Sequence, residues 1–161
     1  MTDWPFIIRT HGPMAVRTAH RILGNEADAE DAAQQAFMDA FGVLRKSRVQ
    51  NWAALLRHLA ACRALDILRR RAPAGGAAVE PLAGGASHPE AVAVARERAV
   101  ILRQALGALP EREAQVFSLR YFGDLSNPDI AAMLGIPAGA VAVALHKARA
   151  HLEEAMREDE T

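Results

Sequence analysis

Between residues 72 and 90 the chain reads APAGGAAVEPLAGGASHPE, with three prolines, four glycines and no apolar period. The Gly-Gly pairs at 75–76 and 84–85 each cost a helix about 2 kcal/mol relative to alanine, so the local alanines cannot hold one together. The segment predicts a flexible linker. It divides the chain into residues 1–71, 72–90 and 91–161, two outer pieces of about 70 residues each.

Both outer pieces carry helical periodicity. In the first, Ala15, Ala19 and Ile22, then Ala33, Phe37, Ala40 and Leu44, then Leu55, Leu59, Cys62 and Leu65 recur near 3.6-residue spacing. Nothing alternates as a strand would. Gly24-Asn25 ends the first helix, the acid-rich NEADAED opens the second, and Asn51 is placed to cap the third. Trp4, Pro5 and Phe6 are expected to close the end of this core.

In the second piece a helix of roughly residues 89–106 precedes Leu109-Pro110, which opens another through about Phe122. Gly123 to Pro128 forms a turn with Asn127 as expected cap and Pro128 at the tolerated first helical position. Ile130, Ala131 and Leu134 then face inward on a short helix, Gly135-Ile136-Pro137 breaks it, and Val141, Leu145, Ala148 and Leu152 line the last helix. A short helix, a glycine-containing turn and a longer helix make a helix-turn-helix, although an ordinary helical hairpin shares the pattern. The fold class expected is all-α, two small helical domains with the second a helix-turn-helix.

A hydrophobic fraction of 51% is ample for a core and excludes disorder throughout. No run approaches the 18 to 20 or so apolar residues of a membrane span. The amino end lacks a signal-peptide pattern. A cytoplasmic protein without membrane partners is expected, and the single cysteine, Cys62, has no internal disulfide partner.

The net charge is zero, but its distribution is uneven. Residues 45–71 hold eight Lys or Arg against the single Asp66, a local +7, whereas residues 111–161 hold five basic against nine acidic residues. A basic block on one helix points to phosphate contact, and a solvated helix face has the same composition.

Two segments resemble the extracytoplasmic-function sigma factors, two-domain promoter-specificity subunits of bacterial RNA polymerase. ILGNEADAEDAAQQAF at 22–37 with ALDILRRR at 64–71 is similar to that family's region two. LPEREAQVFSLRYFGDLSNPDIAAMLGIPAGAVAVALHKARAHL at 109–152 is similar to its region four.

The resemblance implies roles for particular positions. Asp28, Asp31, Gln34, Gln35 and Phe37 would dock on the clamp coiled coil of the polymerase core; the polar ones recur near three-residue spacing while Phe37 packs inward. Arg57, Arg63, Asp66, Arg69, Arg70 and Arg71 would meet the minus-ten promoter region, with arginines on phosphate and Asp66 orienting an arginine three or four residues away. On the last helix Ala138, Ala140, Val141, Ala144, His146, Lys147 and Arg149 would face the minus-thirty-five duplex. The family carries Thr, Lys, Ser and Arg where this sequence has Ala140, Ala142, Val143 and Ala144, so base-specific donors and acceptors are missing. Cys62 stands where the family often has Asn. Partners implied are polymerase core and promoter DNA, with an anti-sigma factor compatible.

His58 and Cys62, four apart, form half a metal-site spacing with no second half, and a packed pair is the favoured reading. The glycine-rich segment lacks the strand, helix and Lys of a phosphate-binding loop. No nucleophile-base signature or carboxylate pair suggests an enzyme, and no cofactor or metal is expected. Trp52 suits either a stacking platform or the core. Two rivals fit parts of the sequence: a degenerate sigma paralogue acting as a protein-interaction adapter, favoured by the alanine-rich last helix, and a conventional helix-turn-helix regulator, which leaves residues 1–71 unexplained.

Overall fold

The computed structural model describes residues 2–71 and 88–160, so most of the expected linker lies outside the described residues. Among those described, every regular element is a helix: α1 (Trp4–Leu23), α2 (Glu26–Lys46), α3 (Trp52–Arg71), α4 (Pro89–Ala108), α5 (Glu111–Tyr121), α6 (Asn127–Leu134) and α7 (Ala138–Glu160). α4 begins at Pro89, where the sequence placed its start, and so takes up the last two residues of the 72–90 segment.

Short polar side chains set the helix starts. Asp3 accepts from the Phe6 amide, Asn25 from Asp28 and Asn51 from Ala54, each at 3.0 to 3.1 Å. Gly24 ends α1 in the left-handed region at φ 70°, where its amide donates to the His20 carbonyl. Pro13 sits inside α1 without ending it. At α6 the cap is Ser126, which accepts from the Asp129 amide at 3.2 Å, and the expected cap Asn127 is instead the first helical residue. The serine is one residue closer to the turn and its hydroxyl reaches the orphan amides first.

α1, α2 and α3 pack pairwise into a bundle, and α7 joins α4, α5 and α6. Small residues bring α2 close: Ala29, Ala32, Ala33, Ala36 and Ala40 are all buried. At one end of the bundle Trp4 meets Trp52, Phe41 and Phe37 edge-on, with ring centroids 5.6, 5.7 and 6.3 Å apart. Trp52 is thus half-buried core. α6, the turn through Gly135 and α7 form the helix-turn-helix, whose apolar residues Ile130, Val141, Leu145, Ala148 and Leu152 are buried.

The two outer pieces do not stand apart. One cluster of buried residues runs from Ala19, Ile22 and Leu23 through Ala61, Ala64 and Leu65 to Leu106, Leu119, Ile130 and Leu145. Polar contacts lie over it. Arg103 of α4 donates to the Ile22 and Arg21 carbonyls at the end of α1, 3.1 and 3.3 Å away. Arg21 donates to the Phe122 carbonyl at 3.2 Å and to Asp124 at 2.9 Å. No single described helix is long and apolar enough to cross a membrane.

Candidate polymerase and nucleic-acid interfaces

An open groove of ≈ 620 Å³ runs between α2 and α3, lined by Asp28, Asp31, Gln34, Gln35, Arg63, Ile67, Arg70 and Arg71. It brings together residues assigned to two different partners from sequence. Asp31, Gln34 and Gln35 are exposed on α2. Asp28 is not: it is 7% exposed and bound by the Arg71 guanidinium across the groove. A carboxylate at the third position of a helix, buried and ion-paired, holds α2 to the end of α3, so Asp28 has a structural task in the free chain. Phe37 is half-buried under Trp4.

Along the same face the sequence reading missed Met38 and Phe41, which are 64% and 48% exposed. They continue the stripe of Asp31 and Gln34 at helical spacing. They add exposed apolar area to the polar face of α2. The signal was present in the sequence as apolar positions that do not fit the buried period of Ala33, Ala36 and Ala40.

The basic charge of α3 is partly spent inside the fold. Arg63 makes two bonds to the Asp39 carboxylate, at 2.6 and 2.7 Å, which raises the guanidinium pKa above its ordinary value. Arg71 is held by Asp28. The buried Nη2 of Arg69 has no hydrogen-bond partner among the described residues. Arg70 is exposed and its Nε donates to the Asp66 backbone carbonyl at 3.4 Å. Asp39 holds the Arg63 guanidinium directly, and Asp66, three residues along α3, acts on the same guanidinium electrostatically. Arg57 is half-buried.

His58 and Cys62 face each other, with Sγ 3.9 Å from both ring nitrogens. Among the described residues no group of three or more His, Cys, Asp or Glu could hold a metal. Burial lowers the His58 pKa, and burial, helped by Asp66 and Glu111, pushes the Cys62 thiol up to about 11. A thiol two units above its free value holds about 100-fold less thiolate near neutrality. Iodoacetamide at pH 8 should therefore alkylate native Cys62 about 100-fold more slowly than the urea-unfolded chain. Equal rates would contradict this environment.

On α7 the exposed residues at the start are Ala138, Gly139, Ala140, Ala142 and Val143, followed by His146 and Lys147. Val141 and Ala144 are buried in the core and cannot face a duplex. They share the inward face with Leu145 and Ala148, three or four residues on. Arg149 turns back onto α5, where its Nε donates to the Tyr121 hydroxyl at 2.7 Å and its guanidinium lies 5.4 Å from the ring centroid. Close by, His151 Nδ1 lies 2.8 Å from the buried Glu113 carboxylate.

Comparison with known proteins decides the family. The model of sigma-70 region 2 matches residues 7–73 and that of sigma-70, region 4, matches residues 99–152. The chain is 27% identical over 158 residues to the ECF RNA polymerase sigma factor SigE of Mycolicibacterium smegmatis, covering 96% of this chain and 62% of that protein. It is 28% identical over 156 residues to the ECF RNA polymerase sigma factor SigW of Bacillus subtilis, covering 86% and 81%.

The chain belongs to the sigma-70 family, in its extracytoplasmic-function class. This sigma factor spans about three fifths of the length of the first relative. Its fold is also that of CnrH, solved in complex with the cytosolic domain of CnrY, at TM-score 0.62 and 22% identity over 97% of this chain and 88% of that one. RpoE of Bartonella quintana, solved with the anti-sigma factor NepR, matches at TM-score 0.62 and 18% identity over 98% of both chains. In the sigma factor, region 2 comprises nearly all of α1 with α2 and α3, and region 4 runs from the second half of α4 through much of α7.

Proposed function

We propose that this sigma factor binds RNA polymerase core in the cytoplasm and directs promoter recognition and transcription initiation. The observation that carries the reading is the α2–α3 groove, which sets Asp31, Gln34 and Gln35 beside Arg70 and Arg71. One rigid pair of helices then offers a polar and apolar stripe to the clamp coiled coil and a basic edge to the strand opened at the minus-ten element. The stripe comprises Asp31, Gln34, Gln35, Met38 and Phe41. The protein acts without catalysis or cofactor of its own, because bond formation belongs to the polymerase. The complexes of CnrH with CnrY and of RpoE with NepR support an anti-sigma partner for this chain too.

Run-off transcription with purified core polymerase on a promoter library tests the reading. Specific transcripts that depend on the added chain are expected. Polymerase binding without transcripts would establish the adapter reading, which the exposed alanines of α7 favour.

Upstream recognition should be weak as the helix stands. Val143→Arg, with Ala140→Thr, places polar groups at exposed positions and should raise holoenzyme affinity for upstream duplex roughly tenfold, measured by fluorescence anisotropy. Ala144→Arg should instead destabilise the fold, because its charge enters the core. Unchanged affinity in the first variant would mean that α7 does not lie in the groove.

A further inference from the structure

We infer that Asp39 is a positioning residue: it holds Arg63 across the α2–α3 groove so that the free end of its guanidinium can receive two oxygens of one phosphodiester of the opened strand. The inference rests on the assignment of α3 to promoter DNA and adds a residue of α2 to that work.

Three arginines line the groove, and each is held differently. Arg70 is exposed, and its Nε donates to the Asp66 backbone carbonyl at 3.4 Å, a long bond that places the side chain only loosely. Arg71 meets Asp28 through Nη1 and Nη2, which occupies the forked end of its guanidinium. Arg63 meets Asp39 through Nε and Nη2, at 2.6 and 2.7 Å, and so is gripped from the side. The side grip leaves Nη1 and the second Nη2 hydrogen, the parallel pair at the end of the fork, for a ligand.

That pair matches two oxygens of a phosphate in spacing and direction. A loose arginine surrenders rotamer freedom when it presents the fork, which weakens binding by up to about tenfold. Arg63 has surrendered it already on folding. Side-chain exposures of 39% for Arg63 and 30% for Asp39 keep the grip part-buried while the guanidinium still reaches solvent. Asp39 also offsets much of the charge that it holds in place. The contact therefore selects by geometry more than by attraction, and a point charge such as lysine would not replace it.

The placement of Asp39 ties this grip to the docking helix. Met38, the residue before it, is 64% exposed on the stripe offered to polymerase, whereas Asp39 turns to α3. Neighbouring residues of α2 thus serve the two partners.

The test uses holoenzyme with core polymerase in excess and a fluorescein-labelled single strand from a promoter found by run-off transcription. Neutral methylphosphonate linkages are placed one at a time along the strand. Affinity is read by anisotropy in about 0.5 M salt, where a Debye length of about 4 Å screens unpaired charge. One linkage should weaken binding of the unaltered chain about tenfold, the scale of a lost charged hydrogen bond. Arg63→Lys keeps the charge without the fork, and Asp39→Ala keeps the fork without its grip. Each should bind the unmodified strand about tenfold more weakly and lose most of the penalty at that linkage. The exchanged pair, Asp39→Arg with Arg63→Asp, should recover thermal stability but not strand binding. Recovery of both would make the bridge structural alone and overturn the positioning, as would Arg63→Lys binding like the unaltered chain. Strand binding that no variant alters would likewise overturn the positioning while leaving α3 assigned to DNA. A holoenzyme that binds no strand in any form would overturn that assignment and the positioning with it.

Discussion

Leu65→Ala should lower the unfolding free energy by about 3 kcal/mol, the middle of the range for emptying a fully buried leucine site. Leu65 is buried in the cluster that joins both regions, so the cavity opens where α3 meets helices from each side. Urea titration followed by circular dichroism would measure the loss. The two tryptophans, Trp4 and Trp52, both lie in region 2, whereas helicity reports on the whole chain. In the unaltered protein the two signals should share one midpoint, as a common core requires. A loss below about 1 kcal/mol would show that Leu65 is not packed between the regions.

Asp31→Arg combined with Gln34→Ala should weaken binding to core polymerase about 100-fold, the scale of removing a hot spot and adding a repulsive charge. Both side chains are exposed, and no intramolecular bond of either is part of the α2 framework described above. Helicity should therefore stay unchanged, which separates this effect from unfolding. Undiminished binding by a folded double variant would move the docking surface off α2. Asp28→Ala is the contrasting change: it removes the partner of Arg71 and should act on stability more than on docking.

The helices themselves were legible because each carries its own local signals. Asn51 caps where the sequence placed it, and α2 begins within the acid-rich NEADAED as its carboxylates suggested. The inward period of α7 already put Val141 on the buried face, and that period was a better guide than family position, since Ala144 shares it. Pairings between helices were not legible. Asp39 with Arg63 and Asp28 with Arg71 are 24 and 43 residues apart, and nothing local distinguishes a carboxylate that finds an arginine from one that stays in water. The packing of region 4 on α3 had a signal of a different kind. Reading one stripe of Leu55, Leu59, Cys62 and Leu65 overlooked Ala54, Ala61, Ala64 and Leu68, which make α3 apolar on nearly all sides. A helix of that composition belongs in the middle of a fold.

Ion pairing within the groove bears on how this protein would respond to ionic strength. A free arginine that meets phosphate releases a condensed cation from the nucleic acid, and on single strands each such contact adds about −0.7 to the slope of log affinity against log salt. Arg63 and Arg71 are already neutralised by Asp39 and Asp28. Where phosphate displaces those carboxylates, each freed acid restores a negative charge beside the contact, so these two arginines should add less to the slope than free ones would. Five arginines would give a slope of about −3.5, but Arg57, Arg69 and Arg70 alone give about −2. If α3 engages the promoter as proposed, the binding should lose less affinity with added salt than its count of arginines alone would give.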